Sequence, residues 1–296
     1  MIVTTDSGKR FGKGTCDGSR IIRFSTKMDE LSAPDYSFKN LIGFKEKYYL
    51  LGEEAEGVSY DCSKEELVHK LSVYYNVCKH LQRQGEDVKL VVNMPITHYM
   101  DVEQRDSFRN YFLDDEEIYM TIGKKEYHFT IRDVLIVAEG TGIMFNKPDL
   151  FKDKSAIICN LGGLNSTCLQ TSNRKIIGSS VFLGNRGGNI LETNIQTSLN
   201  KKGYNFQPHE IPFLFKSEKE DIRKVVDEEC DKTLEGVIRD MKAHNYNLKG
   251  CDNVYFEGGT SLLLKDKIEK MGFMVVDDPI NQDVRGMHKY GVKKLG

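Results

Sequence analysis

The sequence has no Cys-x-x-Cys pair among its seven cysteines and no ligand-like spacing among its seven histidines. A structural metal is therefore not expected. No apolar run approaches the ~18 residues that a transmembrane helix needs, so the chain is not expected to enter a membrane. A basic excess is missing too: 42 Lys and Arg stand against 44 Asp and Glu, a formal net charge of −2. Binding DNA through its phosphates wants a cationic face, so direct nucleic-acid binding is not expected. There is no linker and no low-complexity tract, and charged residues of both signs, 29% of the chain, are interspersed as on a solvated surface. Cys78, Cys159 and Cys168 sit inside apolar patterns, and no signal-peptide pattern opens the chain. Both fit a reduced, cytoplasmic setting. A length of 296 residues allows one large domain or two ordinary ones.

What is present is a recurring theme of strands broken by glycines. Ile157–Leu161 runs into Gly162-Gly163 and out through Asn165 to Leu169. That predicts a tight hairpin, which is either an ordinary turn or a cradle of backbone N–H groups for an anion. The chain begins the same way. Met1–Thr5 leads into Asp6-Ser7-Gly8-Lys9-Arg10-Phe11-Gly12-Lys13-Gly14, then to a second strand at Ile21–Phe24. This tip, with one Asp and several cations, is no P-loop. Gly8 to Lys13 is one residue short, Gly14 stands where Ser or Thr should be, and no helix follows.

Between the two hairpins, Tyr48–Ala55 reads as strand and turn. A helix follows with Ser63 as N-cap and Glu66 three residues on, its apolar face formed by Leu67, Leu71, Tyr74, Cys78 and Leu81. Val88–Pro95 reads as a strand covered on both faces. A helix near 102–112 precedes strands near 116–122 and 126–130, and Val134–Ala138 is a further buried strand. It ends on Glu139, which either caps the next helix or orients a water. Beyond the central hairpin, Gly184, Gly187 and Gly188 lead into a helix whose start presents free N–H groups. A long charged helix spans 217–245. Asn253–Thr260 reads as strand, Gly258-Gly259, helix, with Leu262, Leu263 and Ile268 packing. Residues 278–291 read as a turn and short helix. Phe38, Ile42 and Phe44 are expected as exposed apolar residues, either subunit contacts or a strand edge.

Several of these stretches match one family in order. Asp6, Gly8 and Lys13 fit Asp-x-Gly-x-x-x-x-Lys, and Tyr49–Ala55 resembles Tyr-x-x-Gly-Glu-x-Ala. Val92–Pro95 resembles a Gly-Leu-Pro segment, and Phe256-Glu257-Gly258-Gly259-Thr260 an adenosine motif. Asn281–Gly286 with Lys289-Tyr290-Gly291 resembles the Ala-Asn-x-x-Gly-x-x-Lys-Tyr-Gly ending. The chain resembles the actin-like ATPases, relatives of the sugar kinases and the large heat-shock chaperones, and within them the plasmid-segregation actins of the ParM type.

The resemblance implies an α/β, actin-like (RNase H-like, duplicated) ATPase fold of two lobes with a nucleotide cleft between them. Domain I would be 1–153 plus 278–296 and domain II 154–277. It also implies ATP or ADP with Mg²⁺ as cofactors. Asp6 would be the metal carboxylate and Glu139 would hold the attacking water. Gly8, Lys13, Asn160, Gly162, Gly163 and Asn165 would grip phosphates, Gly258, Gly259 and Thr260 would meet adenosine, and Gly184, Gly187 and Gly188 the ribose. The partners implied are further copies of the chain in a filament and a DNA-binding adaptor on a centromere-like plasmid site.

Two departures stand out. Asn160 and Thr167 replace expected carboxylates, which predicts greater reliance on Asp6 for the metal and slow hydrolysis. Lys9 and Arg10 add charge to the first loop, as solvated cations or as extra phosphate contacts. The rival readings are a small-molecule (sugar or acid) kinase of the same fold and a structural cytoskeletal or phage filament with weak ATPase.

Overall fold

The computed structural model describes residues 1–59 and 64–296. The chain divides into two compact units, Met1–Lys147 with Asp283–Gly296, and Pro148–Gln282. The divisions expected from the sequence fall at 153/154 and 277/278.

The first unit is built on a nine-stranded sheet. Its strands are β1 (Ile2–Ser7), β2 (Phe11–Thr15), β3 (Ile22–Ser25), β4 (Met28–Leu31), β5 (Leu41–Phe44), β6 (Lys47–Leu51), β7 (Glu86–Met94), β8 (Ile118–Ile122) and β9 (Lys125–Ala138). Their order is β3-β2-β1-β7-β9-β8-β5-β6-β4. β1 and β2 form the first hairpin, and β1, β7 and β9 run parallel. The expected strands near 126–130 and 134–138 are one continuous strand, β9, which pairs with β8 at its start and β7 along most of its length. A one-residue slip opposite Val88/Lys89 lets the pairing continue past Arg132, where the apolar sequence pattern breaks.

Helix α1 (Leu67–His80) packs on β1 and β2. The Ser63 cap expected from the sequence lies outside the described residues, and the helix is preceded by Glu66, whose side chain makes no capping bond. Leu71, Tyr74 and Cys78 are buried as predicted, but so is nearly every other residue of the helix. The Tyr74 ring packs edge-on against Phe44, Phe112 and Phe129. Burying each such side chain contributes roughly 1.5–3 kcal/mol. Ile42 and Phe44 therefore correct the sequence reading: β5 sits between β8 and β6, away from the sheet edge, and both side chains are core. The short α2 (Ile96–Tyr99) leads to α3 (Val102–Leu113), which Asp101 caps by accepting from the Glu103 and Gln104 N–H groups. α4 (Gly142–Asn146) follows β9, and the final helix, Gln282–Leu295, returns to this unit. It is longer than the short helix expected there.

The second unit has a five-stranded sheet of β10 (Ser155–Leu161), β11 (Ser166–Ser172), β12 (Lys175–Gly184), β13 (Asn253–Glu257) and β14 (Met274–Val275), ordered β12-β11-β10-β13-β14. This repeats the β3-β2-β1-β7-β9 part of the first sheet: an antiparallel three-strand meander whose first strand starts a parallel run. The duplication expected from the sequence is thus present in topology. Helices α5 (Gly188–Asn200), α6 (Ile211–Leu214), α7 (Glu220–Ala243), α8 (Gly259–Leu263) and α9 (Lys265–Lys270) complete the unit. The α7 stripe of Ile222, Val225, Val226, Cys230, Leu234, Val237 and Met241 is buried with Leu191, Ile195 and Leu199 of α5. Of the three residues expected to pack, Ile268 is buried, whereas Leu262 and Leu263 are exposed and Leu264 fills the core in their place. Among the described residues no helix is long and apolar enough to cross a membrane.

Candidate functional site

In the first unit the sheet brings a set of charged side chains together at the ends of β1, β2, β7 and β9. Asp6 and Lys13 are direct cross-strand partners, on the strands and not at the tip of the hairpin. Lys13 Nζ lies 2.7 Å from Asp6 Oδ2. Asn93, on β7, donates from Nδ2 to Asp6 Oδ1 at 3.0 Å, and to Asp283 Oδ2 at 3.4 Å. Its Oδ1 accepts from Lys64 Nζ at 3.0 Å. Lys64 Nζ also lies 3.8 Å from Asp6 Oδ1 and 3.4 Å from Glu139 Oε2. Burial alone would raise the Asp6 pKa, but the Lys13 and Lys64 charges and the bonds from Lys13 and Asn93 hold it down at about 2. Burial works against the Lys13 ammonium as well, and Asp6 keeps its pKa above the ordinary lysine value.

Glu139 follows β9 directly and does not cap α4, whose N-cap, Thr141, has no side-chain capping bond. The local N–H groups are taken by Asp283 instead, from Gly142 at 2.6 Å and Gly140 at 3.1 Å. Burial, then the Asp6 charge, pushes the Asp283 pKa up to about 6 against those two bonds. Gly8 stands at the tip of the hairpin, where a Cβ would come within 2.7 Å of the Phe11 carbonyl oxygen. Lys9 is part-buried and engages a side chain of α1. Its Nζ sits 2.9 Å from His69 Nε2, while His69 Nδ1 meets Ser7 Oγ at 2.6 Å. A lysine donating to Nε2 leaves the ring proton on Nδ1, so His69 donates to Ser7.

The second unit gathers most of its predicted residues around the β10–β11 turn. Gly162 N–H donates to the Asn165 carbonyl at 2.9 Å and closes the hairpin. The Gly162 carbonyl accepts from Gly188 N–H at 3.0 Å and from Thr260 Oγ1 at 2.8 Å, and the Gly163 carbonyl from Asn189 N–H at 2.7 Å. The first N–H groups of α5, expected to be free for an anion, are therefore spent on this turn. Close approach explains the glycines. A Cβ at Gly187 would fall 2.4 Å from the Leu164 carbonyl carbon. Gly258 has φ +88° and would place a Cβ 2.4 Å from the Leu161 carbonyl oxygen and 2.7 Å from Asn160 Oδ1. Asn160 Nδ2 donates to Glu257 Oε1 at 3.3 Å. Gly259 opens onto space, with nothing within 4 Å of a Cβ built there. Gly184, at the end of β12, pairs with Ser166 just after the turn, and a Cβ there would fall 2.6 Å from Ser166 Oγ.

Residues 5–142, which hold Asp6, Lys13, Asn93 and Glu139, match a family model described as the N-terminal domain of actin-like proteins. The filament structure of Alp12 is 24% identical, with a TM-score of 0.75 over 100% of this chain and 99% of that one. An archaeal actin homologue in complex with ADP is 13% identical, with a TM-score of 0.78 over 99% of both chains. A subunit of a 15-stranded ParM filament from Clostridium botulinum is 13% identical, with a TM-score of 0.79 over 99% of both chains. The fold is actin-like. No curated protein sequence matches the chain.

Within the actin-like fold, three residues in the first cluster carry no predicted role: Lys64, Asn93 and Asp283. Asn93 and Asp283 lie in stretches that the motifs cover, but their roles depend on partners about a hundred or more residues away. Lys64 lies in no motif. The donor set can be tested against a magnesium ion, which keeps most of its waters and takes one or two carboxylates. Asp6 and Glu139 offer that pair. Both Asp6 oxygens are already engaged, by Lys13 and Asn93, so the residues fit a hydrated ion held through its waters. Among the described residues no group of three or more His, Cys, Asp or Glu could cage a metal.

Proposed function

We propose that this chain binds and hydrolyses ATP, assembles with further copies of itself into filaments, and segregates plasmid DNA through a DNA-binding adaptor in the cytoplasm. The observation that carries the reading is the cluster at the end of the parallel strands, in a unit with the actin-like fold. It puts a part-buried lysine, Lys13, beside a buried carboxylate, Asp6, that remains ionised at neutral pH. Glu139 is the partly exposed carboxylate of the set, its side chain 24% accessible, so it can reach a water.

Phosphoryl transfer asks a protein chiefly for positioning and charge. Lys13 would meet the phosphates as a point charge. Glu139 would orient the attacking water and accept its proton at Oε1 or Oε2. Asn93 would hold the Asp6 carboxylate in place. In the second unit, Gly163 and Asn165 would offer backbone N–H groups to phosphate, with Gly162 closing the turn that presents them, Gly258, Gly259 and Thr260 would meet adenosine, and Gly184, Gly187 and Gly188 the ribose. Magnesium, when bound, neutralises phosphate charge and orders water. Filament growth would follow from differential affinity: a polymer that favours the ATP-bound form is itself favoured by ATP. A net charge of −2 agrees with indirect contact to DNA.

The test is right-angle light scattering and pelleting of the pure protein with magnesium and ATP, ADP or no nucleotide, with phosphate release followed in parallel. Assembly that needs ATP and decays as phosphate appears is expected. A protein that stays monomeric at tens of micromolar while binding ATP would refute the filament reading. Turnover that appears only on adding a sugar or acid would point to a kinase.

A further inference from the structure

Lys64 belongs to none of the recognised motifs, yet it stands in the middle of the first unit's charges. Its backbone is left-handed, with φ +62°, a strained state for a residue with a side chain. Its side chain is buried, at 3% exposure. A buried ammonium is costly unless surrounding acceptors compensate it. Here three side chains do so, from the ends of three parallel strands: Asn93 Oδ1 at 3.0 Å, Glu139 Oε2 at 3.4 Å and Asp6 Oδ1 at 3.8 Å. Oxygen donors converging on one positive charge are the surroundings a hard metal cation seeks. In this chain the positive charge is covalently attached.

We propose that Lys64 is a tethered cation, supplying from within the chain part of the positive charge that a divalent metal brings to Asp6 and Glu139. Nucleotide phosphates would then bind with only weak dependence on magnesium. The proposal rests on the reading that phosphates bind at the first hairpin. Charge placement supports it: Lys13 and Lys64 offset two of the three carboxylates Asp6, Glu139 and Asp283, so an incoming phosphate finds two cations already in position. The strained backbone also has an explanation. With its φ positive, the chain turns so that the ammonium reaches the strand ends just before α1 begins.

The test is the affinity of the full chain for a fluorescent methylanthraniloyl-ATP, with excess magnesium and with EDTA, for the parent, Lys64→Met and Lys64→Arg. The parent is expected to lose no more than about tenfold in affinity when the metal is removed. In Lys64→Met the same loss should grow by about tenfold or more, and Lys64→Arg, which keeps the charge, should stay near the parent ratio. Equal metal dependence in the parent and Lys64→Met would overturn the proposal while leaving the ATP reading intact. If Lys64→Met fails to fold, the parent still decides: a loss of about a hundredfold or more in EDTA overturns the proposal. A parent that binds no nucleotide in either condition overturns the ATP reading, and the proposal with it.

Discussion

Asp283 carries an electrostatic cost that pH can reveal. Its buried carboxylate faces the Asp6 and Glu139 charges, and its pKa rises from 3.8 to about 6 despite two backbone N–H bonds. At about 1.4 kcal/mol per pH unit, the difference of 6 − 3.8 is worth about 3 kcal/mol. The folded form holds its proton longer than the unfolded chain does. The contribution is therefore fully present below pH ~4 and is lost as pH rises through ~6. Asp6 works in the opposite sense. Its pKa falls from 3.8 to about 2, so it adds about 2 kcal/mol that is present above pH ~4 and lost as pH falls through ~2. Asp283→Asn removes the first titration alone. The amide oxygen can still accept from one of Gly140 and Gly142, while its amino group confronts the other, at a pH-independent cost of about 1–3 kcal/mol. The variant should therefore be weaker than the parent at pH 4 and close to it at pH 7. The melting temperature of the first unit, followed by circular dichroism from pH 4 to 7.5, should show the difference between the two proteins closing by about 6–12 °C. Two profiles that run parallel, within about 1 kcal/mol, would refute the assignment of that charge to Asp283.

Other substitutions test the packing directly. A Cβ on Gly286 would lie 1.7 Å from the Gly142 carbonyl oxygen, so Gly286→Ala must push the final helix away from α4, at about 3 kcal/mol. An unchanged melting temperature would contradict that contact. Gly258→Ala combines a left-handed φ with a clash against the Leu161 carbonyl. It should cost the second unit at least about 1–2 kcal/mol, checked by urea denaturation. Asn160→Asp would restore the carboxylate that the resemblance expects, but it removes the donor to Glu257. Two carboxylates would then face each other, destabilising the second unit by about 1–3 kcal/mol at pH 7, and less at pH 5. Equal melting shifts at both pH values would count against this. On the proposed function, the variant's ATPase should also change in rate or magnesium dependence.

The elements whose signals are local were legible in the sequence. The helix near 102–112 carries its own cap, the α7 stripe repeats at helical spacing, and the glycine pairs mark turns. The duplication could be read because each copy opens with an apolar strand and a glycine-rich hairpin. What stayed hidden depends on partners distant in the chain. Ile42 and Phe44 looked exposed until β8, some 75 residues on, paired with β5. The free N–H groups expected at the start of α5 are consumed by carbonyls of the β10–β11 turn. Lys64 gave no signal at all, because nothing in a Ser-Lys-Glu-Glu run says that its lysine is buried. Asp6 and Lys13 took their roles from the resemblance and Glu139 stood out at the end of its strand, but Asn93 and Lys64, which bind Asp6 and Glu139 from elsewhere in the chain, did not.

The return of the final helix to the first unit has a consequence for how the protein is made. Gly140 and Gly142 leave the ribosome long before Asp283, the residue that receives their N–H groups. The 135 residues of Pro148–Gln282 intervene, which takes roughly 7–27 seconds at ordinary synthesis rates. The second unit is thus fully translated while the first still lacks a helix and one of its buried acids. A chain that presents residues 1–282 but lacks 283–296 should hold a finished second unit and an unfinished first one, and the charged cluster is completed only when Asp283 joins it.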